Sequence, residues 1–243
     1  MRQRKAKKTL EAVKTTYNDI GEEFDRTRSE PVSEFPFYRP YLKPGAHIAD
    51  IGCGNGRLLK SLQEDKNTRY DYTGIDNSEK MIALATSAHP AEKFIKGDLL
   101  DIPLQDGSQD VVFVIRAFHH LPDRKTRMKA LFELNRILKP GGILIITVWN
   151  LWQNIFTITL LRSILRFIYT FGAYGWNDFS VPWGKNNNRY YHAFTPSELA
   201  NLITKSRFEL EEEFCVRKDK KVQFKQAHDI VVIAKRHPLT LKP

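Results

Sequence analysis

Ile-Ala-Asp-Ile-Gly-Cys-Gly-Asn-Gly-Arg, residues 48–57, is the stretch of sequence that decides the fold. An apolar strand from His47 to Ile51 runs into a turn with glycines at 52, 54 and 56, and we expect a helix to begin near Arg57. Glycine suits such a turn because the chain bends tightly and a ligand must approach bare backbone. The stretch therefore predicts a strand, a ligand-binding turn and a helix in that order.

A second signal lies about 20 residues after the last glycine, the separation found in nucleotide-binding βαβ units. The next predicted strand, Tyr72 to Ile75, ends in Asp76, whose carboxylate can accept hydrogen bonds from both hydroxyls of a ribose. The glycines follow Gly-x-Gly-x-Gly rather than the dinucleotide spacing, and Asp50 precedes them. A carboxylate there repels a pyrophosphate and attracts a cationic ligand such as a sulfonium or an amino group. We therefore predict a nucleoside-containing cofactor.

The glycine turn resembles motif I of the class I S-adenosylmethionine-dependent methyltransferases. The resemblance continues at Lys96-Gly97-Asp98-Leu99, where the family's acidic residue meets the adenine amino group, and through the Lys139-Pro140-Gly141-Gly142 turn before the fifth strand. An isolated glycine turn is also an ordinary tight turn, but the presence of all these motifs in order argues against that. The resemblance implies S-adenosyl-L-methionine as cofactor. It assigns these residues to cofactor binding: Tyr17, Arg28, Asp50, Gly52, Gly54, Asn55, Gly56, Asp76, Asn77, Asp98, Leu99 and Arg116.

Strands and helices alternate from residue 47 onwards, after an amphipathic helix predicted from Lys8 to Phe24. This alternation indicates an α/β fold with a doubly wound, mostly parallel sheet and an apolar helical insertion. The resemblance implies that this fold is of the Rossmann-like class I methyltransferase type. Ligands then bind outside the carboxyl ends of the strands. Strands are predicted at 47–51, 70–75, 92–95, 110–115, 142–149, 208–216 and 228–235, and helices near 56–65, 78–88 and 123–138.

Four segments are expected along the 243 residues, which suit one α/β domain with a modest insertion. They are an N-terminal helical cap (1–45), the cofactor-binding core (46–150), an insertion or lid with the acceptor-site segment (151–192), and a C-terminal helix with closing strands of the same domain (193–243). The two cysteines give neither a disulfide framework nor metal spacing, so we expect no metal site and a reducing, cytoplasmic location. The basic N-terminus lacks an apolar signal core, so we expect no secretion signal.

The run from Leu151 to Trp176 is rich in Leu, Ile and aromatic residues. Arg162 and Arg166 stand in mid-span, which argues against a transmembrane helix. Three interpretations stay open: a lid over the active site, a dimer or partner surface, and peripheral contact with a membrane surface through 151–176. On a helix the polar residues form one narrow stripe: Thr159, Arg162, Ser163, Arg166 and Thr170.

The formal net charge of +10 favours polyanionic partners such as nucleic acid or an anionic membrane surface. Basic residues cluster between Arg2 and Lys8, from Arg124 to Lys129, and from Arg217 to Lys225. Each cluster is equally compatible with an ordinary solvated surface.

More specific motifs lie outside the cofactor half. Tyr17-Asn18-Asp19-Ile20 precedes Phe24-Asp25-Arg26-Thr27-Arg28, the fourth strand leads into His119-His120, and Val181-Pro182-Trp183 precedes Arg189-Tyr190-Tyr191-His192. Together they resemble, over nearly the whole chain, the methyltransferases that esterify 5-carboxymethyluridine at the wobble position of tRNA. The resemblance implies tRNA as partner and tRNA modification as function, and leaves open a small protein partner subunit.

Transfer to a carboxylate needs little acid–base chemistry, because a carboxylate is already ionised at neutral pH. Catalysis can then come mainly from placing donor and acceptor, with arginine as the natural clamp for carboxylates and phosphates. The candidates for the acceptor side also have purely structural interpretations. The two histidines can be packed at a strand end, Arg189 and His192 can lie in a surface loop, and Tyr191 can belong to the core. We assign these residues to catalysis on the acceptor side: His119, His120, Arg189, Tyr190 and His192.

Two other functions stay open. A small-molecule O- or C-methyltransferase acting on a quinone, lipid or metabolite has the same cofactor half and can use the apolar segment as a pocket lid. A non-catalytic binding partner keeps the fold but typically loses cofactor contacts, and the intact aspartates and glycines argue against it.

Overall fold

The computed structural model describes residues 3–64, 67–171, 175–183 and 187–238. The helices are α1 (Gln3–Asp19), α2 (Gly21–Thr27), α3 (Arg57–Leu62), α4 (Glu79–Ala88), α5 (Arg124–Ile137), α6 (Thr157–Tyr169) and α7 (Pro196–Thr204). The strands are β1 (His47–Ile51), β2 (Asp71–Asp76), β3 (Lys93–Lys96), β4 (Gln109–Ile115), β5 (Leu138–Trp149), β6 (Asp178–Trp183), β7 (Asn187–His192), β8 (Phe208–Arg217), β9 (Lys220–Lys221) and β10 (Asp229–Arg236).

Among the described residues, eight strands form one sheet in the order β3-β2-β1-β4-β5-β10-β8-β9. The first five are parallel, and β10 runs antiparallel between β5 and β8. The strand order reverses between β1 and β4, which is where ligands bind in sheets of this kind. The predicted α/β fold is confirmed. The prediction starts β5 at residue 142, but it begins at Leu138 because Leu138 already pairs with Gln109 across a register shift.

Both faces of the sheet are covered by apolar layers. Along β4, Val112 and Val114 pack into one cluster with α5 and α7, while Val111 and Phe113 pack into the other with α3 and the segment before β1. Successive side chains of a strand point to opposite faces, so four consecutive apolar residues supply two cores. This explains why the central strands read as continuous apolar runs.

The predicted helix from Lys8 to Phe24 is wrong in its extent, because the chain forms two helices that meet at Ile20. The backbone there leaves the helical region, with φ −93° and ψ 3°. Gly21 follows directly and packs tightly on α4, since a Cβ at that position would lie 2.4 Å from Cγ of Lys80. The bend therefore lets α2 approach α4 closely.

The insertion contains a strand pair that the sequence reasoning missed. β6 and β7 pair antiparallel from Asp178 opposite His192 to Trp183 opposite Asn187, and we call this pair the β6/β7 ribbon. Helix α6 packs on its outer side through β6. The predicted segments 151–176 and 151–192 include residues 172–174 and 184–186, which lie outside the described residues, as does the side chain of Trp183. Within the described parts of the chain, no helix is long and apolar enough to span a membrane.

Replacing Gly52 with Ala is expected to destabilise the fold more than an ordinary glycine substitution does. Gly52 has φ +77°, and an added Cβ would lie 2.4 Å from Cβ of Ala117. Left-handed strain accounts for about 1–2 kcal/mol, and overpacking adds a further ~1–3 kcal/mol. Urea unfolding of the cofactor-free protein measures the loss.

Gly45→Ala is the matched control, because Gly45 has φ +75° and nothing within 4 Å of an added Cβ. This variant carries the backbone strain without the clash. Equal losses in the two variants would show that the approach of Ala117 has no energetic importance.

Candidate cofactor and acceptor site

A cavity lies at the carboxyl ends of β1, β2 and β4, between α1, α2 and the β6/β7 ribbon. Three predicted site residues, Gly56, Tyr190 and His192, are not part of its lining. The predicted residues that line it are Tyr17, Arg28, Asp50, Gly52, Gly54, Asn55, Asp76, Asn77, Asp98, Leu99, Arg116, His119, His120 and Arg189.

Asp76 joins the glycine turn to the start of α4. One carboxylate oxygen accepts a hydrogen bond from the Gly54 backbone N–H at 3.0 Å, and the other accepts from the Ser78 N–H at 2.9 Å. Burial raises the pKa of Asp76, and these backbone hydrogen bonds offset the rise only in part. Gly54 has φ +56° and offers bare backbone to the cavity. The turn is thus held in shape by the residue predicted to bind a ribose.

Asp50 is buried at the end of β1 and accepts a hydrogen bond from the Tyr72 hydroxyl at 3.0 Å. Burial raises the pKa of Asp50 to about 7, while the Tyr72 hydrogen bond works in the opposite direction. The carboxyl therefore changes charge near neutrality. A cationic ligand beside it would favour the ionised form, because opposite charges attract strongly where water is excluded.

Asn55 links α2 to the glycine turn. Its amide nitrogen donates to Oδ1 of Asp25 at 2.8 Å and to the Arg28 carbonyl at 3.2 Å. The Oδ1 atom of Asn55 is buried and has no hydrogen-bond partner among the described residues. A buried acceptor in this state calls for a donor from a ligand or water. Gly56 instead begins α3 with φ +78° and approaches Phe94, which gives it a role in shaping the turn.

Arg116, predicted to bind the cofactor, has its guanidinium engaged by protein carboxylates. Its Nε and Nη2 atoms donate to Asp229 at 2.9 and 2.8 Å, and Nη2 also donates to Glu34 at 2.8 Å. Burial lowers the pKa of Arg116, but the two carboxylates outweigh this and raise it. The residue has φ +56° directly after β4. Its side chain therefore ties three distant segments together at the cavity wall.

The two histidines face the cavity with their lone pairs occupied. Nδ1 of His120 lies 2.7 Å from the Tyr190 carbonyl. Because a carbonyl oxygen can only accept, Nδ1 carries the proton. Nε2 of the same ring then accepts a hydrogen bond from the Tyr17 hydroxyl at 2.9 Å. Nδ1 of His119 accepts a hydrogen bond from the backbone N–H of Trp149 at 3.1 Å. Burial lowers the pKa of His119 well below its usual value and that of His120 to about 3. Both rings are neutral at physiological pH.

Arg189 is buried in the cavity wall beside two stacked rings. The Trp149 and Tyr191 rings are nearly parallel, with centroids 5.3 Å apart. The guanidinium carbon of Arg189 lies 5.6 Å from the Trp149 centroid and 5.3 Å from the Tyr191 centroid, within cation–π range. Burial raises the pKa of Tyr17, against the opposing charge of Arg189. Arg189 therefore brings a positive charge to the part of the cavity wall formed by Trp149 and Tyr191.

Among the lining residues that were not predicted as site residues are Arg57, Trp149 and Tyr191. Arg57 directly follows the glycine turn, a position that could have signalled its role. Burial lowers the pKa of Arg57 to about 10, and Arg116 adds to this effect. Tyr191 is buried, as expected for a core residue, yet one side of it reaches the cavity.

Tyr190 and His192 are directed away from the cavity, which corrects their predicted placement beside the acceptor. His192 is buried between two carboxylates, with Nδ1 2.9 Å from Asp178 and Nε2 2.8 Å from Glu198. The Tyr190 hydroxyl donates to Asp178 at 2.6 Å. Burial raises the pKa of both carboxyls, but their hydrogen bonds and neighbouring positive charges together outweigh burial and lower the pKa of each. Alternation along β7 explains the split, because Arg189 points to the opposite side.

A family model described as "Methyltransferase domain" matches residues 49–146. A solved S-adenosylmethionine-dependent methyltransferase from Methanosarcina mazei has a TM-score of 0.67 at 26% identity, over 84% of this chain and 98% of that chain. These likenesses support a class I S-adenosylmethionine-dependent methyltransferase. A methyltransferase of Haloferax volcanii, solved in complex with the activator Trm112, has a TM-score of 0.66 at 15% identity, over 93% of this chain and 97% of that chain. That second likeness concerns the fold alone.

Two curated methyltransferases resemble this one in sequence. The mouse tRNA (carboxymethyluridine(34)-5-O)-methyltransferase ALKBH8 is 33% identical over 142 residues, which are 58% of this chain and 20% of that protein. A 2-methyl-6-phytyl-1,4-hydroquinone methyltransferase from Synechocystis is 38% identical over 112 residues, 45% of this chain and 34% of that protein. The chain thus spans a fifth to a third of the length of these relatives.

The cavity of this methyltransferase fits the family's cofactor, S-adenosyl-L-methionine. Asp50 and Asp76 provide negative charge for a cationic donor, and the glycine turn exposes backbone. The buried Oδ1 of Asn55, which lacks a partner among the described residues, provides an unused acceptor. The contact that each residue makes with the cofactor stays a prediction.

Asp50→Asn is expected to change the pH dependence of stability in a defined direction. Since the folded-state pKa of Asp50 is raised to about 7, its contribution to stability is complete at low pH. Relative to the variant, the wild type then loses up to about 1.4 kcal/mol of unfolding free energy per pH unit between pH ~4 and ~7. Urea unfolding of both cofactor-free proteins across this window measures the difference.

Asp219→Asn, which changes an exposed aspartate, is the matched control for the loss of a carboxylate. A difference between wild type and Asp50→Asn that does not vary with pH would contradict a buried, protonated Asp50.

Proposed function

We propose that this enzyme transfers a methyl group to a carboxylate, and that the acceptor is the carboxymethyl group of a wobble uridine in tRNA. The observation that carries the proposal is the state of the two histidines at the cavity. The lone pair of His120 is occupied by the Tyr17 hydroxyl and that of His119 by the Trp149 N–H. Neither ring is therefore available as a general base.

A carboxylate is the acceptor that needs no base. S-adenosyl-L-methionine, when bound, supplies an electrophilic methyl group on a sulfonium. A phenol, an alcohol or a carbon acid must lose a proton before or during attack, whereas a carboxylate is ionised at neutral pH. The residues around the cavity then serve to orient the acceptor and exclude water, and orientation alone can supply much of the rate.

Arg189 is the residue best suited to hold an acceptor carboxylate. Its forked donors match a carboxylate geometrically, and the flanking Trp149 and Tyr191 rings restrict its position. Arg28 and Arg57 also line the cavity and add positive charge. Desolvated cations of this kind favour an anionic acceptor over a neutral one.

Two further observations support tRNA as the molecule that carries the acceptor. The net charge of +10 suits a polyanion, and the curated mouse relative is named for carboxymethyluridine-34 of tRNA. Of the predicted basic clusters, the one from Arg124 to Lys129 is reduced, because Arg127 is buried and donates to the Leu121 carbonyl. Arg124 and Lys125 at the start of α5 remain exposed, a few residues after the two histidines.

A neutral lipid-phase acceptor such as a quinol is the second candidate. The α1 wall of the cavity is apolar, with Leu10 and Val13 in the lining, and one curated relative acts on a hydroquinone. Such an acceptor would need a base, which the two histidines do not offer. A non-catalytic binding role is disfavoured because the cofactor cavity keeps its aspartates.

A small protein partner also belongs to the proposal. The Haloferax methyltransferase of the same fold is described in complex with an activator. At 15% identity the likeness concerns the fold alone. The test is whether the purified chain transfers methyl groups by itself, since transfer without a second protein would show that no partner is needed.

Incubation with methyl-labelled cofactor and tRNA carrying 5-carboxymethyluridine is expected to label the tRNA. Mild alkali should release the label as methanol, because a methyl ester is hydrolysed where methyl groups on carbon, nitrogen or ribose oxygen persist. Transfer should weaken steeply with salt as phosphate contacts release counterions. The same tRNA with unmodified wobble uridine is the control, and alkali-stable label or label confined to a lipid fraction would refute the proposal.

Arg189→Met is expected to lower methyl transfer while sparing cofactor affinity. Loss of a charge-assisted contact with the acceptor corresponds to at least about a tenfold loss in kcat/KM. Steady-state transfer to tRNA and calorimetry with the cofactor measure the two effects.

Arg39→Met is the matched control, because Arg39 is exposed and paired with Glu64 at 3.6 Å, away from the cavity lining. If Arg189→Met instead abolishes cofactor binding, Arg189 belongs to the cofactor side and the acceptor assignment fails.

A further inference from the structure

Helix α6 is oriented opposite to an ordinary surface helix. A surface helix normally turns its apolar stripe to the core and its polar residues to water. In α6 two polar residues face the protein: Ser163 is buried and donates to the Asp178 carbonyl, and Arg166 donates to the same oxygen. The polar stripe expected from the sequence is thus used largely to attach the helix to the β6/β7 ribbon.

The opposite side of α6 is a continuous apolar surface, which we call the outer face. Its side chains are 53–66% exposed and recur every three or four residues along the helix. Two exposed aromatic side chains continue it, Tyr169 at the last residue of the helix and Phe171 just after it. The outer face consists of Ile158, Leu161, Leu165 and Ile168.

The outer face does not serve the cavity. Among the described residues, none from α6 belongs to the cavity lining, so the interpretation of this segment as a lid is not supported. A contiguous exposed apolar surface on a folded domain marks a binding surface. The remaining question is what covers it.

The charges around the outer face distinguish between its occupants. From Leu151 to Asn177 the sequence has two arginines and no acidic residue, and the whole chain has a net charge of +10. Arg162 is exposed at the border of the outer face. An apolar arc bordered by the cationic Arg162, with Tyr169 at its end, fits the boundary between anionic headgroups and acyl chains. The 13 residues of α6 are too few to span a bilayer, so the helix would lie in the plane of the surface.

We propose that the outer face of α6 docks this methyltransferase on an anionic membrane surface. The apolar side chains enter the acyl boundary, and Arg162 contacts the headgroups. Because α6 is attached to the ribbon that carries Arg189, docking places the membrane on the outer side of the acceptor wall. The proposal concerns location and does not depend on which acceptor is methylated.

Co-sedimentation with vesicles tests the proposal. The full chain is expected to sediment with phosphatidylcholine vesicles that contain phosphatidylglycerol, at about 0.15 M salt, and less with phosphatidylcholine alone. The triple variant Leu161→Asn, Leu165→Asn, Ile168→Asn is expected to bind at least about tenfold more weakly. Arg162→Gln should weaken binding to the anionic vesicles about fivefold and leave binding to neutral vesicles unchanged.

Phe132→Asn and Leu210→Asn are the matched controls, because both change an exposed apolar residue to Asn, on α5 and β8. They are expected to bind like the wild type. Cofactor calorimetry on every variant confirms that the core is folded, and a triple variant that binds cofactor normally but not vesicles supports the proposal.

Two outcomes overturn it. The first is a wild type that stays in solution with anionic vesicles, or a triple variant that binds them as the wild type does. The second is a wild type that light scattering shows to be a dimer, with a monomeric triple variant and no vesicle binding, since the outer face is then an interface between two copies. Neither outcome alters the tRNA assay, so failure here is distinguishable from failure of the proposed acceptor.

Discussion

The guanidinium of Arg116, held between two buried carboxylates, is the constraint on which the site depends. The residue turns the chain through a left-handed conformation directly after β4, and its donors join Glu34 from the N-terminal segment to Asp229 at the start of β10. Two buried carboxylates are acceptable only with such a partner, because an unpaired buried charge is strongly destabilising. The turn that Arg116 begins leads into His119 and His120, so the pairing also fixes where the two histidines meet the cavity.

A chain of hydrogen bonds then assembles the acceptor side from segments far apart in sequence. The Tyr17 hydroxyl from α1 donates to His120, which donates to the Tyr190 carbonyl on β7. These two hydrogen bonds fix the tautomer and the ring orientation of His120. They also occupy the lone pair that a general base would need. His120 is thus held to position an acceptor rather than to deprotonate it. Under the proposed function this arrangement suits an acceptor that arrives ionised, and the buried charge of Arg189 favours the same property.

The cofactor half could be predicted because its signals are local. The glycine turn, Asp76 and the apolar runs of β1 and β4 are set by neighbouring residues and by strand period. The acceptor half could not be predicted from the sequence, because its side chains contact residues far away in the sequence. Reading Arg189 to His192 as a strand would have separated Arg189 and Tyr191 from Tyr190 and His192 by alternation alone. Nothing local reveals that His192 lies between Asp178 and Glu198, or that Asn55 bonds Asp25 across 30 residues.

Asp178 explains why α6 presents its apolar side to solvent. Its carboxylate is held by Tyr190 and His192, while its carbonyl accepts from Ser163 and Arg166. Rotating α6 by half a turn would bury the outer face, but it would break the hydrogen bonds from Ser163 and Arg166. The buried Asp178 carbonyl would then lack these donors, which is unfavourable. The ribbon therefore dictates the orientation of the helix, and the apolar surface is a consequence of how the acceptor wall is built. A large apolar surface that is held exposed in this way is expected to be covered by a binding partner.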